Sequence, residues 1–240
     1  MQKFLLVAAL LAGATSSVAA ADIYVAPAAA ADQYVYDWSG AYAGAFLGYG
    51  WGASDFTDVD GYNLGGEVFG VNSRGALAGL TLGYNAQHGA FVLGVEGEVS
   101  YLGLDGTTPQ PDSPIDTLAS INGGLYASLA GRLGVTADKA LIYAKAGLAL
   151  TGAKGRVDDN CDVGACGGGL INATTGGLLV GYTLGAGVEY AFSEQWSAKL
   201  EYSYLNFGSA TASGVYNGSD WNYDYDLSAH TVKVGLNYKF

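Results

Sequence analysis

The sequence is poor in charge, and most of the charge that it has is negative. Charged residues make up 13% of the chain, with 10 Lys and Arg against 22 Asp and Glu. Nucleic acid is bound through its phosphates by basic surfaces. This charge balance therefore argues against a nucleic-acid partner.

A long apolar run is missing as well. After the first 20 residues, no stretch approaches the ~20 apolar residues of a membrane-spanning helix. The N-terminus itself has Lys3, a short apolar stretch at 4–12 and small residues up to Ala20, the pattern of a secretory signal peptide. We predict a signal peptide at 1–20, with cleavage after Ala21 as the alternative, then a periplasmic linker at 21–37 and one folded domain at 38–240.

Cysteine is scarce, with two residues in the chain, Cys161 and Cys166. In an exported protein a disulfide can persist, and this spacing permits a small closed loop. Two free thiols are the alternative. Two cysteines without a nearby histidine make a poor zinc site, and we predict no metal site.

Period-two alternation is what the sequence has in abundance, and this period is typical of β-strands. Large apolar residues alternate with small or polar ones in eight segments. The segments read AYAGAFLGYGW, ALAGLTLGYN, FVLGVEGEVSYL, LYASLAGRLGV, LIYAKAGLAL, YTLGAGVEY, AKLEYSYL and TVKVGLNYKF.

The connections between these segments are alternately short and long. The long ones, predicted to be loops of a conformation that the sequence does not give, are 53–74, 103–122, 151–177 and 206–228. Aromatic residues gather near both ends of the segments, as in the two aromatic girdles of an outer-membrane barrel. The sequence therefore predicts an all-β fold, an eight-stranded antiparallel up-and-down transmembrane β-barrel with both termini in the periplasm.

The face opposite the large apolar residues carries balanced charge. By alternation, four acids and four bases point inward: Glu96, Glu98, Arg132, Lys145, Glu189, Lys199, Glu201 and Lys233. An eight-stranded barrel is narrow enough for side chains to fill it, and unpaired buried charge is costly. We therefore predict an ion-pair network that closes the lumen. The alternative is a lumen wet enough to form a small-solute channel.

Several of these runs resemble a known family. HTVKVGLNYKF, GLTLGYN, VLGVEGE, AGRLGV and YTLGAGVEYAFSEQW are similar to the alphaproteobacterial outer-membrane β-barrel proteins of the "porin family", major surface and immunogenic antigens similar to opacity-type proteins. The resemblance covers about 38–240 and rests on strands and short turns. It implies an outer-membrane location and roles in envelope integrity and in contact with the host or environment.

The resemblance also implies partners. Tyr238 and Phe240 at the end of the last strand resemble the sorting signal that the barrel-assembly machinery reads. Outer-membrane lipid and lipopolysaccharide would surround the barrel, and the long connections would meet host or surface ligands. Some family members bind haemin, which makes haemin a candidate ligand although no cofactor is required.

The last long connection contains the candidate residues for such a ligand: Trp221, Tyr223, Tyr225 and His230. Tyr and His can ligate haem iron. The alternative is a solvated acidic loop that reaches lipopolysaccharide through divalent cations, which prefer oxygen ligands. Asp226, Ser228 and His230 are too close in sequence for the usual convergence of a catalytic triad. We therefore predict no catalytic residues and no enzyme activity.

Overall fold

The computed structural model describes residues 36–62, 65–111, 117–161 and 169–240, without the side chains of residues 160, 161 and 169. The predicted signal peptide and most of the predicted linker lie outside these residues. Within the described part of the chain, no helix is long and apolar enough to cross a membrane.

The described chain is built from β-strands. In chain order they are β1 (Gly40–Asp58), β2 (Val68–His88), β3 (Phe91–Leu102), β4 (Gly106–Pro109), β5 (Thr117–Asn122), β6 (Gly124–Ala137), β7 (Ala140–Thr151), β8 (Lys154–Cys161), β9 (Gly169–Thr174), β10 (Leu179–Ala191), β11 (Trp196–Tyr216) and β12 (Ser219–Lys239).

Eight of these strands form a closed antiparallel ring. Its order is β1, β2, β3, β6, β7, β10, β11, β12, and β12 pairs back to β1. The closing register places Tyr42 opposite Lys239 and Leu47 opposite Val234. Closure leaves no strand edge within the ring unpaired, as a hydrocarbon environment requires. The predicted eight-stranded barrel is confirmed.

Side chains alternate between the two faces of the ring wall. Leu47, Leu80 and Leu133 point outward and are well exposed, whereas inward neighbours such as Phe46 and Thr81 are buried. Aromatic side chains on the outer face lie towards the two ends of the ring, such as Tyr49 near the long connections and Tyr84 near the short turns. An apolar outer face between two sets of aromatic rings is the surface of a barrel embedded in lipid.

The long connections, whose conformation the sequence leaves open, are not loops throughout. They consist largely of strands: β1, β2, β11 and β12 extend beyond the ring, and β4, β5, β8 and β9 pair beside these extensions. A Ser213–Thr174 pair and an Arg74–Asp105 bridge join the short strands to β11 and β2. We call this part the crown: residues 53–62, 65–74, 104–111, 117–122, 153–161, 169–175 and 209–228.

At the opposite end, the turns are short. The β2–β3 turn contains Gly89 at φ 59°, and the β6–β7 turn contains Asp138 at φ 55°. The residues before β1 pack against this end, where Tyr36 and Trp38 form a buried cluster with Val92, Leu141, Tyr143 and Ala191. Tyr36 belongs to the predicted linker, so the end of that segment is part of the packed structure.

Candidate functional site

The inside of the barrel is the best-defined polar site in the described chain. All eight of the charged residues predicted to point inward are buried, each with at most 4% exposure. They come from six of the ring strands: β3, β6, β7, β10, β11 and β12. Alternation places them on one face, and ring closure brings them together.

Lys145 contacts three of the buried glutamates. Its Nζ is 2.9 Å from Glu96, 3.2 Å from Glu98 and 2.8 Å from Glu201. Lys233 adds contacts of 2.9 Å to Glu98 and 2.7 Å to Glu201. Lys199 lies 3.3 Å from Glu96. Each of these three glutamates therefore has at least one lysine partner.

Arg132 connects the remaining acid to this group. Its guanidinium pairs with Glu189 and lies 3.9 Å from Glu96. It also stacks over the ring of Tyr143, with its Cζ 3.7 Å from the ring centroid. The eight charges thus form one connected network of ion pairs, which we call the lumen network.

Two tyrosines belong to the lumen network although the sequence analysis did not include them. Tyr42 donates to Glu96 at 2.8 Å and accepts from Arg132 at 3.2 Å. Tyr143 donates to Glu201 at 2.9 Å. The signal that identifies them is an inward tyrosine opposite an inward glycine: Tyr42 pairs with Gly83 and Tyr143 with Gly187.

The glycine opposite each tyrosine is required by space. A Cβ at Gly83 would lie 2.4 Å from the Tyr42 ring, and one at Gly187 would lie 2.6 Å from the Tyr143 hydroxyl. Each ring therefore lies across the strand position where the neighbouring side chain is missing. Part of the high glycine content is thus explained by the space that inward tyrosine rings need.

Smaller polar side chains complete the hydrogen bonding of the acids. Glu189 accepts from Ser197 at 2.5 Å and from Asn237 at 2.7 Å. Ser203 donates to Glu201 at 3.0 Å. Buried ion pairs are tolerated when such additional hydrogen bonds satisfy the remaining oxygens.

The glutamates of the lumen network are close enough to hold a metal ion. Ligand oxygens of Glu96, Glu98 and Glu201 lie within 4.8 Å of one another. The ammonium groups of Lys145, Lys199 and Lys233 already contact these carboxylates. The positive charge that a cation would bring is therefore supplied by the chain itself.

On the crown side of the lumen network, the interior of the barrel is apolar. Buried side chains of the upper ring and crown form one hydrophobic cluster that includes Phe46, Phe56, Leu102, Phe207 and Tyr225. A cavity of about 10 Å³ lies at the boundary between Phe46, Tyr126 and Lys233, which is about the space of one water molecule. The sequence analysis missed this apolar layer because it treated the long connections as loops.

Tyr225 shows how the crown is held together. Its ring stacks on Phe56 at a centroid distance of 4.9 Å, and its hydroxyl accepts from the Gly155 amide at 3.0 Å. Thr175 lies 2.6 Å from the same hydroxyl. One side chain of β12 therefore links β1, β8 and the segment after β9.

The residues predicted as a ligand site are not brought together. Tyr223 and Tyr225 are buried inside the crown, and Trp221 packs partly buried against the same cluster. His230 lies on the outer face, stacked on Trp51 and 2.6 Å from the Tyr202 hydroxyl through its Nδ1. An even and an odd position of one strand face opposite sides, so these four side chains cannot share one ligand.

Asp226, Ser228 and His230, considered above as a catalytic triad, do not form one in the structure. Asp226 is exposed and accepts from Ser209 at 2.6 Å. His230 has its Nδ1 directed at Tyr202 instead. A triad requires an acid that orients the histidine, whereas Asp226 is bound to Ser209 and His230 to Tyr202.

Tyr223 has an unusual environment in the crown. It is fully buried, and its hydroxyl has no hydrogen-bond partner among the described residues. Burial raises the pKa of this phenol, and the nearby carboxylates of Asp58 and Asp159 raise it further. The hydroxyl therefore stays protonated well into the alkaline range.

The predicted assembly residues lie at the short-turn end. Phe240 is 74% exposed, and its ring lies edge-on to Tyr238 at 5.3 Å. The Tyr238 ring in turn contacts Trp196 at 5.1 Å. The predicted disulfide is outside the described structure, because Cys166 is not among the described residues and Cys161 is described by its backbone alone.

Comparison with known proteins identifies a family model and relatives that match this chain. The family model described as outer membrane protein beta-barrel domain matches residues 6–240. The 31 kDa outer-membrane immunogenic protein of Brucella melitensis is 31% identical over 248 residues, covering 99% of this chain and 100% of the relative. The 22 kDa outer membrane protein of Rhizobium leguminosarum is 29% identical, covering 85% of this chain and 78% of the relative.

A solved structure shares the fold at low sequence identity. The outer membrane protein OprG from Pseudomonas aeruginosa superposes with a TM-score of 0.54 at 13% identity, covering 86% of this chain and 99% of OprG. The family match and the Brucella relative confirm the resemblance predicted from the strands and the outer-membrane location. The chain belongs to the outer-membrane β-barrel protein family and is an integral protein of the bacterial outer membrane.

Proposed function

We propose that the protein is a non-conducting, non-enzymatic barrel that stabilises the cell envelope and presents its crown to the surroundings. The observation that carries this proposal is the filled interior. The lumen network, the apolar cluster above it and the Tyr36–Trp38 cluster at the periplasmic end occupy successive levels of one narrow barrel. Lipopolysaccharide and outer-membrane lipid surround its outer face, and the crown meets external partners.

Energetics favour a closed interior over a channel. A solute passing through would have to separate buried ion pairs, which costs several kcal/mol for each uncompensated charge. It would also have to displace the packed side chains of the crown. Porins have wider barrels with polar, water-filled interiors, whereas an eight-stranded barrel has room for its own side chains.

Planar-bilayer recording tests the closed interior directly. The refolded barrel should show no stepwise conductance across a wide range of salt concentrations, while a sixteen-stranded porin in the same lipid conducts. The double variant Arg132→Ala with Lys145→Ala should also remain closed, because the apolar cluster on the crown side of the lumen network still fills the barrel. Regular conductance steps from the wild-type protein would refute the proposal.

The envelope role is tested in cells. Deletion of the gene should increase sensitivity to detergents, and expression of the wild-type chain should restore resistance. The variant Arg156→Ala, which changes an exposed crown residue, serves as a folded control that also restores resistance. Full resistance in the deletion strain, with normal levels of other outer-membrane proteins, would contradict an envelope role.

A further inference from the structure

A row of outward side chains crosses the barrel wall where the ring meets the crown. The strand register pairs Tyr204 of β11 with His230 of β12, and His230 with Trp51 of β1. Trp51 in turn pairs with Arg74 of β2. The Cβ atoms of directly paired residues lie about 5 Å apart, so these residues form one continuous surface. We call Tyr204, His230, Trp51 and Arg74 the boundary row.

Arg74 is the only Lys or Arg that points outward on the eight ring strands. Its side chain is exposed, and none of the ion pairs among the described residues includes it. The acid beside it, Asp105, is joined to it through the backbone, and the Asp105 carboxylate accepts from the Gly123 amide at 3.2 Å. The guanidinium therefore lies at the edge of the lipid-facing wall, where an anionic headgroup can reach it.

His230 is held between aromatic rings. Its imidazole stacks on Trp51 at a centroid distance of 5.8 Å and lies 5.1 Å from the Tyr204 ring. The Tyr202 hydroxyl lies 2.6 Å from Nδ1. When this phenol donates to Nδ1, the imidazole proton is on Nε2, which bonds to no described residue. The imidazole then has a hydrogen-bond donor to offer to a ligand.

The chemistry of the boundary row fits a phosphorylated sugar. An arginine binds phosphate through its paired N–H donors. Trp and Tyr rings combine a flat apolar face with a polar edge and settle at the lipid–water interface, and the apolar face of a sugar ring can stack on them. In the outer leaflet of the outer membrane, the headgroup of lipopolysaccharide begins with phosphorylated glucosamine, which has both parts.

The opposite side of the ring offers none of these groups. At the crown end of β6 and β7, the outward side chains are Leu125, Ala127, Leu148 and Leu150. An acyl chain can pack against that side, but no side-chain donor there can bind a phosphate. The combination of guanidinium, imidazole and aromatic rings therefore selects the sector of the wall from β11 to β2.

We propose that the boundary row binds the phosphorylated glucosamine headgroup of one lipopolysaccharide molecule. Arg74 pairs with a phosphate, Trp51 stacks on the sugar, and His230 donates a hydrogen bond. The inference rests on the proposed function, which places the crown outside the cell and lipopolysaccharide against the wall. Below the row, Leu47 and its cross-strand partner Val234 are 70% and 61% exposed, and they continue the same path as an apolar surface for the acyl chains.

Native mass spectrometry of the refolded full chain tests the site. The protein is treated with EDTA, so that divalent cations cannot bridge lipid to the acidic crown, and is then mixed with lipid A that carries its phosphates. Wild type should bind one molecule, and it should bind dephosphorylated lipid A or phosphatidylglycerol at least about tenfold more weakly, equivalent to ~1.4 kcal/mol. Arg74→Gln and Trp51→Leu should each weaken lipid A binding by at least the same factor.

The matched control is Lys154→Gln, which removes the same charge from an exposed crown residue of β8 outside the boundary row. It should bind lipid A like wild type, and heat-modifiable gel migration confirms that each variant is folded. Absence of lipid A binding in wild type, unchanged binding in Arg74→Gln, or equal loss in Lys154→Gln would each overturn the proposal. Equal affinity for phosphatidylglycerol would also overturn it, because the row would then attract any anionic lipid.

The outcome is separable from the test of the closed interior. A wild-type barrel that stays silent in planar bilayers but binds no lipid A would refute the lipopolysaccharide site alone. A barrel that conducts but still binds lipid A through Arg74 would refute the closed interior and leave the site standing.

Discussion

Single residues in the interior show how closely sequence and structure correspond in a narrow barrel. The inward position of the eight charges followed from alternation alone, because a strand has a fixed side-chain period. Their specific pairing did not follow, since it depends on the stagger between strands that are distant in sequence. Tyr42 reaches Glu96 although the two lie on β1 and β3, and strict alternation gives no information about that contact.

Arg132→Ala tests the lumen network at the residue scale. The change leaves Glu189 without its guanidinium partner and removes the stacking on Tyr143. We expect the free energy of unfolding to fall by ~3–5 kcal/mol, the cost of breaking a buried ion pair. Guanidinium titration of the barrel in lipid vesicles measures this.

The control for Arg132 is Arg156→Ala. Arg156 also forms an ion pair, with Asp158, but its side chain is 45% exposed. Surface pairs contribute ~0–1 kcal/mol, so this variant should unfold almost like wild type. Equal effects of the two substitutions would show that burial of the network does not govern its contribution.

Gly83→Ala tests the space that the inward tyrosines use. The new methyl group would lie 2.4 Å from the Tyr42 ring and should displace it from Glu96. We expect a loss of ~1–3 kcal/mol, typical of overpacking. Gly97→Ala is the control, because its methyl group would have no neighbour nearer than 3.8 Å. It should stabilise the barrel by ~0.4–1 kcal/mol, because alanine lowers the conformational entropy of the unfolded chain.

At the scale of elements, the ring strands were predictable and the crown was not. Short turns and clear alternation marked the ring. In the crown, β4, β5, β8 and β9 are short and pair across segments distant in sequence. One local signal was nevertheless present. Asn217-Gly218, with φ values of 50° and 76°, forms the β11–β12 turn, and Asn-Gly between alternating residues is a strong hairpin signal.

The crown has its own prediction, which concerns Tyr223. Its hydroxyl is buried without a partner among the described residues, so Tyr223→Phe should remove a penalty of ~1–3 kcal/mol. The raised pKa adds a pH dependence. The unfolded chain releases this proton near pH ~10 while the folded chain retains it, so wild type loses stability as the pH rises above that value.

The measurement compares unfolding of the two proteins at pH 8 and pH 11. The advantage of Tyr223→Phe over wild type should be larger at the higher pH, because the variant has no phenolic proton at this position. Tyr84→Phe, at an exposed tyrosine near the short-turn end, controls for the loss of one hydroxyl. An advantage that is equal at both pH values would contradict a buried, protonated Tyr223.

The whole barrel must be inserted into the membrane in cells as well as be stable once folded. Substitution of Phe240 should affect the first property and not the second. Its ring is mostly exposed and contacts Tyr238 at the barrel end. We expect Phe240→Ala to reduce the fraction of folded barrel in the outer membrane of cells, because the assembly machinery would read the terminal ring. In vitro, the refolded variant should unfold within ~0.5 kcal/mol of wild type, as for other exposed positions.

Phe192→Ala, at another exposed aromatic near the same end, is the matched control for assembly. It should leave the folded fraction in cells unchanged. Heat-modifiable migration of membrane fractions gives that fraction for both variants. If Phe192→Ala and Phe240→Ala lower it equally, the effect belongs to the aromatic girdle and not to a terminal signal.

The crown strands have one buried face and one exposed face, which affects where their sequence can change. Inward side chains of the crown belong to a packed apolar cluster, and their outward neighbours are exposed. Substitutions that change the outer surface of the crown without disturbing its packing should therefore accumulate at every second residue and at turn tips such as Asn217-Gly218. Sequence divergence along these strands would then have the same period of two residues that determines which side chains are buried.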